Sequence, residues 1–330
     1  MHQEAVEKRL DAMKIIVLGA GAIGSIIAGH LTRAGEDVTI VARGERAVYL
    51  KEHGITITGL VDFNVPCSVV TDSRELSVAD VLIVTVKTYD MESALSDLGR
   101  LEVDCVLSLQ NGVMKNEQLA GIFGKDKTLG ATAVFSGEVL KDGAVRFTFH
   151  DSLYIGELPK GTSARVRSLV DILKRSGIYA KATTQIQTSE WAKFVSWMGF
   201  TALSVLTRQE TCKFLSDPDM AVIVARIMKE AASLTARLGI PLEDRKLMPV
   251  KTIGEASEEE AVKMIRKAGA ILEAQSPEHK VSTLQDLERG RHLEVEETLG
   301  YVVIKAGEQG VPVPTIETCY RLISGINRFI

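Results

Sequence analysis

The sequence predicts an α/β N-terminal domain followed by an all-helical C-terminal domain. Two observations support this fold class. Up to about residue 186, short buried-type apolar runs alternate with amphipathic segments, as expected for a mostly parallel sheet and its connecting helices. From Thr188 onward, apolar residues recur at helical spacing and strand-like alternation disappears. Because 330 residues are many for one core, we expect two domains, at residues 13–186 and 187–330.

A glycine-rich turn near the N-terminus carries the most specific signal. The apolar strand Lys14–Leu18 leads into Gly19-x-Gly21-x-x-Gly24 and then into an amphipathic helix. Gly19 can adopt the angles of a tight turn, Gly21 leaves room for a pyrophosphate, and Gly24 lets the helix approach the strand. The helix N-terminus offers free N–H groups to phosphates. We therefore predict a Rossmann-type dinucleotide site, with a glycine turn that binds no ligand as the alternative.

The residue after the second strand indicates which dinucleotide is bound. The strand Asp37–Ala42 is followed by Arg43, and no acidic residue lies between Thr39 and Arg43. NAD-selective sites place an acidic residue about 20 positions after the glycines, whereas a 2′-phosphate needs a cation there. A guanidinium can bind a phosphate with two hydrogen bonds. Arg43 therefore favours NADP over NAD, the alternative being a solvent-facing arginine.

Polar residues also follow two further buried strands. The run Asp80–Val86 is followed by Lys87, and the run Cys105–Leu109 leads to Asn111. Ligands of open α/β sheets bind at the carboxyl ends of the strands. We expect Lys87 and Asn111 to face the same crevice and contact cofactor or substrate, unless they are ordinary polar loop residues.

The other predicted elements complete the two domains. In the first domain, strands are predicted at Ile55–Thr58, Phe63–Val70, Leu129–Phe135, Val145–Phe149, Leu153–Gly156 and Ile178–Thr184, and helices at Glu45–Glu52 and Thr162–Ser176. In the second domain, helices are predicted at Ser189–Leu206, Asp217–Leu238, Glu258–Leu272, Val281–Glu288, Glu294–Gln309 and Thr315–Phe329.

Three residues of the second domain could act on a small polar substrate. Lys193 lies in an otherwise apolar helix, where desolvation would lower the pKa of its ammonium toward the range useful in acid catalysis. A surface lysine whose stem covers apolar groups is the alternative. Ser282 and Glu294 could each bond a polar substrate, although the spacing by itself favours a capping role for Glu294 at the start of a helix.

The composition narrows the possible partners. The formal net charge is −4, from 39 basic and 43 acidic residues without a basic run, so no nucleic-acid partner is expected. The sequence contains no run of 18 apolar residues, and its first twelve residues lack the apolar segment of a secretory signal. Met13 is an alternative start of translation. These features predict a cytoplasmic protein that contacts no membrane.

The cysteines predict a reducing compartment rather than a metal centre. Cys67, Cys105, Cys212 and Cys319 are scattered, form no C-x-x-C pair and have no histidines at ligand spacing. We expect buried free thiols and no metal site, with a catalytic cysteine as the minor alternative.

Six stretches, taken together in chain order, resemble the ketopantoate reductases (2-dehydropantoate 2-reductases). They are the glycine turn with Arg43, Val86-Lys87, Gln110-Asn111-Gly112, Glu190-Trp191-x-Lys193, Ser282-Thr-Leu284-Gln285-Asp286 and Arg291-His292-x-Glu294. The resemblance extends from Met13 to about Phe329. It implies a two-domain NADPH enzyme that reduces 2-dehydropantoate to (R)-pantoate in pantothenate and coenzyme A biosynthesis, and it suggests a homodimer.

The resemblance also implies roles for individual residues. Lys193 matches the general acid that protonates the ketone oxygen, and Glu294 matches the acid that holds the substrate hydroxyl. The residues expected to bind substrate are Asn111, Ser282, which matches the carboxylate-binding residue, and Thr201. The residues expected to bind NADP are Gly19, Gly21, Ala22, Ile23, Gly24, Lys87, Asn111 and Arg43, which matches the cation on the 2′-phosphate.

Two departures from the family pattern bear on the substrate. Family members commonly carry asparagines one and two turns after the catalytic lysine, where this chain has Trp197 and Thr201. The stretch from Lys251 to Ile271 is longer than usual and predicts an extra exposed helix. A reductase of a different, larger or more apolar 2-keto acid is therefore the first alternative. A non-catalytic NADPH-binding sensor is the second.

Overall fold

A computed structural model describes residues 12–330, and these residues divide into two compact units. One unit contains the described residues up to Gln110 together with Lys115–Ile186, and the other contains Asn111–Met114 and Gln187–Ile330. The first is α/β and the second is helical, so the predicted fold class is confirmed. The expectations about a secretory signal and a start at Met13 concern mainly residues 1–11, which lie outside the described part.

The α/β unit contains two sheets. Its strands are β1 Lys14–Leu18, β2 Asp37–Val41, β3 Ile55–Gly59, β4 Phe63–Val65, β5 Ser68–Val70, β6 Val78–Val84, β7 Glu102–Ser108, β8 Leu129–Val139, β9 Val145–Glu157 and β10 Ala180–Ala182. The first sheet is parallel throughout, in the order β5-β2-β1-β6-β7. The second is mixed, in the order β10-β9-β3-β4, with β8 antiparallel to β9.

The prediction of one strand at Phe63–Val70 is wrong, because this stretch forms two strands that belong to different sheets. Val65 pairs with Ile55 in the second sheet, whereas Ser68 pairs with Thr39 in the first. Pro66 lies between the two strands and has no N–H to donate to a ladder, so strand pairing stops there. Conversely, the two strands predicted within residues 145–156 form the single long strand β9.

The first helix is buried between the sheets. The helices of the α/β unit are α1 Ala22–Arg33, α2 Gly44–His53, α3 Met91–Leu95, α4 Met114–Phe123 and α5 Ala164–Arg175. The first residue of α4, Met114, belongs to the helical unit. Every residue of α1 from Gly24 to Leu31 is buried. A Cβ atom added at Gly29 would lie 3.1 Å from Ile55 in the second sheet, so α1 packs closely on β3. This burial fixes the N-terminus of α1 at the end of β1.

The helical unit is built around α6. Its helices are α6 Ile186–Thr207, which starts at the last residue of the α/β unit, α7 Thr211–Ser216, α8 Pro218–Arg237, α9 Val250–Glu255, α10 Glu258–Gln275, α11 Ser282–Glu288, α12 Tyr301–Gln309 and α13 Pro314–Asn327. Residues Glu296–Gly300 form a π-helical turn directly before α12. The prediction of one regular helix over Glu294–Gln309 is therefore wrong in its first turns. None of the helices in residues 12–330 is long and apolar enough to cross a membrane.

The extra helix expected between Lys251 and Ile271 is present but is not simply exposed. Helix α10 begins with a capping box, in which the Ser257 hydroxyl accepts from the Glu260 N–H and the Glu260 carboxylate accepts from the Ser257 N–H. Its inner face is buried, and a Cβ atom added at Gly269 would lie 2.6 Å from the Ser216 hydroxyl oxygen of α7. The helix therefore belongs to the core of this unit.

The cysteines are free thiols, and burial raises the pKa of three of them. Cys105, Cys212 and Cys319 are buried and Cys67 is half-buried. Burial raises the pKa of Cys105 to about 12 and that of Cys319 to about 11, and it also raises that of Cys67. Thiolates are the reactive form, which argues against catalysis at these three sites. Within residues 12–330, no group of three or more His, Cys, Asp or Glu side chains could hold a metal ion.

A carboxylate of α8 caps the last helix, which gives a prediction about stability. Glu230 accepts the backbone N–H groups of Thr315 and Ile316, each at 2.9 Å, in the first turn of α13. We expect Glu230→Ala to lower the free energy of unfolding by about 2–3 kcal/mol, because two charge-assisted hydrogen bonds at a helix N-terminus are lost. Urea titration would measure this. The exposed Glu278→Ala is the control, and an equal effect of both variants would contradict the capping role.

Candidate active site

The glycine turn has the shape that a dinucleotide requires. Gly19 has a φ of +110°, in the region that favours glycine. A Cβ atom at Gly24 would lie 2.0 Å from the Gly19 carbonyl oxygen, so only glycine allows this approach. In contrast, nothing lies within 4 Å of a Cβ added at Gly21. The N-terminus of α1 has no side-chain cap and no acidic residue in its first turn. An open backbone with uncapped N–H groups fits a pyrophosphate.

An arginine that sequence reasoning did not assign to the site supports this turn. The Arg46 guanidinium donates to the Ala20 carbonyl oxygen at 2.9 Å, to the Ser25 hydroxyl at 2.9 Å and to the Gly143 carbonyl oxygen at 2.5 Å. It also lies 5.2 Å from the centre of the Tyr49 ring. Burial lowers the pKa of Arg46. These bonds join the turn to the β8–β9 hairpin, so Arg46 is placed to support the backbone of the turn.

Arg43 lies just beyond β2 and is exposed. Its backbone is extended, with a φ of −125°, and it immediately precedes α2. Among residues 12–330 its side chain forms no hydrogen bond or ion pair, so the guanidinium is available to a ligand. Nearby, the pKa of Asp72 is lowered to about 2, mainly by its hydrogen bonds with Arg74 and in small part by the charge of Arg43.

Lys87 and Gln110 follow neighbouring strands of the parallel sheet. Lys87 is half-buried and precedes a short 3-10 turn at Thr88–Asp90. The Gln110 side chain donates to the Val86 carbonyl oxygen at 2.8 Å, and its own amide oxygen accepts from the Ser108 hydroxyl at 2.9 Å. Gln110 thereby anchors the peptide that precedes Lys87.

In the helical unit, Lys193 and Asn111 are brought together. The Lys193 ammonium, on α6, donates to the Asn111 side-chain oxygen at 3.2 Å, across 82 residues of sequence. Both residues are half-buried. Gly112, with a φ of +81°, follows Asn111, and a Cβ atom there would lie 3.3 Å from the methyl group of Thr298. The turn at Asn111-Gly112 is therefore packed closely against the π-helical turn.

The π-helical turn also fixes the backbone of Glu294. Glu294 is buried at 5 % exposure and lies two residues before this turn. The hydroxyl of Thr298 donates to the Glu294 carbonyl oxygen. Single π-helical turns are frequent at functional sites. The local sequence carries no signal for this turn, which packs against Gly112 from a distant part of the chain.

Trp197 and Thr201 lie one and two turns after Lys193 on α6. The Trp197 indole is 8 % exposed and stacks on Phe194, with ring centres 6.1 Å apart. Thr201 is buried, and its hydroxyl lies 3.4 Å from that of Thr283 on α11. Ser282, the neighbour of Thr283, is exposed at the start of α11. The face of α6 that carries Lys193 thus includes an aromatic ring and a buried hydroxyl pair.

The two units together define a class of protein. A parallel sheet whose first turn fits a pyrophosphate, together with a helical unit that holds a half-buried lysine beside an amide, is the architecture of a dinucleotide-dependent oxidoreductase. The sequence matches the family Ketopantoate reductase PanE/ApbA over residues 15–160 and the C-terminal domain of the same family over residues 185–327. The protein therefore belongs to the ketopantoate reductase family and is an oxidoreductase; the family is NADPH-dependent.

Individual relatives agree with this assignment. The chain is 28 % identical to 2-dehydropantoate 2-reductase from Archaeoglobus fulgidus, covering 96 % of this chain and 99 % of the relative. It is 28 % identical to the structure of 2-dehydropantoate 2-reductase from Methylococcus capsulatus, with a TM-score of 0.77 and coverage of 94 % and 95 %. A D-mandelate dehydrogenase solved with NADH and anilino(oxo)acetate shares the fold, with a TM-score of 0.82, 21 % identity and coverage of 96 % and 99 %.

Proposed function

We propose that this protein reduces 2-dehydropantoate to (R)-pantoate with NADPH, as a step of pantothenate and coenzyme A biosynthesis in the cytoplasm. The observation that carries the proposal is the hydrogen bond from the Lys193 ammonium to Asn111, in a chain of this family. We propose residues 13–186 as the NADP-binding domain and residues 187–330 as the helical substrate and catalytic domain, to which Asn111–Met114 also contribute.

The residues of the α/β unit suit the cofactor. The open backbone at Gly21 and the uncapped N–H groups of Ala22 and Ile23 would hold the pyrophosphate, with Gly19 and Gly24 shaping the turn. The exposed guanidinium of Arg43 would bind the 2′-phosphate. Bound NADPH supplies the hydride. Lys87 and Asn111 would orient the nicotinamide and the substrate.

The protein's own contribution to the reaction is orientation and a proton. Reduction of a ketone adds a hydride to the carbonyl carbon and a proton to the oxygen, which becomes the hydroxyl of the product. Lys193 would donate that proton from its ammonium, which Asn111 would hold in place through their hydrogen bond. Glu294 would accept a hydrogen bond from the substrate hydroxyl, and Ser282 and Thr201 would bind its polar groups.

A reductase of a different 2-keto acid is the second candidate, and Trp197 is the observation that favours it. The indole lies one turn from Lys193 and stacks on Phe194, so an apolar ring occupies the place where the family resemblance implies an amide. An apolar wall would favour a branched or aromatic substituent on the keto acid over the hydroxyl of 2-dehydropantoate. The mechanism through Lys193 and Glu294 would be unchanged.

Steady-state assays separate these functions. Purified protein is supplied with NADPH and either 2-dehydropantoate or a panel of branched and aromatic 2-keto acids, and the loss of reduced-nicotinamide absorbance is followed. We expect the highest kcat/KM with 2-dehydropantoate. Turnover of a panel member but not of 2-dehydropantoate would establish the second candidate. Tight binding of NADPH without any turnover would indicate a sensor.

We also propose that the protein forms a homodimer. Ile304, Leu322 and Phe329, in and after the last two helices, are 63 %, 53 % and 91 % exposed. The resemblance to the ketopantoate reductases implies a homodimer, and an interface on these late helices would cover such side chains. Light scattering of the purified protein would test the proposal, and a monomeric mass at micromolar concentration would contradict it.

A further inference from the structure

A buried lysine, distinct from Lys193, lies at the base of the Asn111-Gly112 turn. Lys115 is only 3 % exposed and lies in the first turn of α4. Its ammonium donates to the Gln110 carbonyl oxygen at 3.0 Å and to the Ala131 carbonyl oxygen at 2.7 Å. A buried ammonium is unfavourable unless hydrogen bonds compensate for the lost water. The bonds to these two carbonyl groups therefore explain how a charged side chain is accommodated here.

The Gln110 carbonyl group is significant because of the residue that follows it. The peptide bond between Gln110 and Asn111 is planar, so its carbonyl oxygen and the Cα atom of Asn111 lie in one rigid plane. A hydrogen bond that holds this oxygen fixes the orientation of the plane and thus the direction in which the chain enters Asn111. The Gln110 side chain, bonded to Val86 and Ser108, prevents the residue from rotating as a whole.

The orientation of Asn111 in turn determines where the Lys193 ammonium lies. The Asn111 side-chain oxygen accepts from Lys193 at 3.2 Å. Close packing at Gly112 leaves little room for the turn to adjust, since a Cβ atom there would already lie 3.3 Å from Thr298 and 3.4 Å from the Glu297 carbonyl oxygen. Rotation of the peptide before Asn111 would therefore displace the amide from Lys193 rather than be absorbed by the turn.

We infer that Lys115 is a positioning residue of the reductase: its ammonium fixes the Gln110–Asn111 peptide so that Asn111 can hold Lys193 for proton transfer. Lys115 acts through Asn111 and does not itself contact the substrate. This inference rests on the proposed role of Lys193 and adds to it a residue that the reductase motifs do not include.

A double-mutant cycle tests the inference. Lys115→Met removes the ammonium but keeps a similar stem, and we expect kcat to fall about ten- to hundredfold, because misplacement of about 1 Å in a catalytic array has effects of this size. The dissociation constant of NADPH should change much less than kcat, because the glycine turn and Arg43 keep their proposed contacts with the cofactor. Asn111→Ala should lower kcat as well. The double variant should be no slower than Asn111→Ala, because both changes disrupt the same interaction between Asn111 and Lys193.

Two further variants complete the design. Lys125→Met removes an exposed lysine ten residues later in the chain and should leave kcat unchanged. Ser108→Ala removes only the hydroxyl that binds Gln110 and should lower kcat in the same direction, by less. If Lys115→Met does not fold, the kcat of Ser108→Ala tests whether the orientation of Gln110 affects catalysis. Unchanged kcat in the folded variants, or losses that multiply in the double variant, would overturn the inference.

Hydrogen exchange provides a readout that does not depend on turnover. Lys115→Met should increase amide exchange in a peptide covering residues 109–114, with no comparable increase at β1 or α8. Unchanged exchange there would contradict the proposed anchor. A wild-type protein that reduces no keto acid would refute the proposed function alone, and the exchange experiment would then still decide whether Lys115 fixes the turn.

Discussion

Replacing Lys193 by alanine should lower kcat by about 10²–10⁴-fold, the range for loss of a general acid. The ammonium donates to Asn111, so the protein itself sets its position and the barrier includes little cost for orienting it. The dissociation constant of NADPH should remain within about twofold, since Lys193 lies in the helical unit and the pyrophosphate turn lies in the other. Stopped-flow single-turnover assays at saturating NADPH would measure the chemical step.

The pH profile makes this prediction specific. A proton donor must be protonated, so kcat of the wild-type protein should fall on the alkaline side and this decline should be absent in Lys193→Ala. The exposed Lys267→Ala, in the same unit, is the matched control and should keep both kcat and the pH profile. A kcat within about threefold of wild type in Lys193→Ala would remove this residue from the mechanism.

Much of the α/β unit was predictable because its signals are local. The turn at Gly19 needs a positive φ and the contact at Gly24 excludes a Cβ atom, so both glycines follow from backbone sterics within one short segment. Residues 15–18 of β1, 81–84 of β6 and 105–108 of β7 are continuously buried, and each segment appears in the sequence as a mainly apolar run.

Features that depend on distant residues were not predicted. The sequence around Pro66 shows alternation but not that the two halves join different sheets, since that depends on the partners β2 and β3. The π-helical turn at Glu296–Gly300 packs against Gly112, nearly 190 residues earlier in the chain. Local propensity carries no information about such contacts.

For the candidate site, the sequence predicted the residues proposed to contact substrate and cofactor better than the residues that hold them in position. Lys193 and Asn111 were both expected at the site, and the structure places them in contact, but the residues that hold them were missed. The sequence does contain a hint for Lys115. It lies four residues before Leu119 and thus on the same face of α4, and these two are the buried residues of that helix. Arg46 gives no such hint, because its acceptors at the glycine turn and at Gly143 are distant from it in the sequence.

Replacing Arg43 by alanine should weaken NADPH binding by about 1.5–3 kcal/mol, or about 10- to 150-fold in the dissociation constant, and should spare NADH. The reason is that Arg43 is exposed beyond β2 and forms no hydrogen bond or ion pair within residues 12–330, so only the 2′-phosphate would lose a partner. Fluorescence titration with each reduced cofactor would measure both constants. The exposed Arg100→Ala should change neither.

A charge-preserving variant separates charge from geometry at this position. Arg43→Lys keeps the positive charge but loses the planar fork that can bind two phosphate oxygens, so its loss of NADPH affinity should lie between those of wild type and Arg43→Ala. Raising the salt concentration should weaken NADPH binding to wild type more than to Arg43→Ala, because an exposed ion pair is screened. Equal weakening of NADPH and NADH in Arg43→Ala would mean that Arg43 supports the fold of the turn and does not bind the phosphate, leaving the preference for NADPH to other residues of the α/β unit.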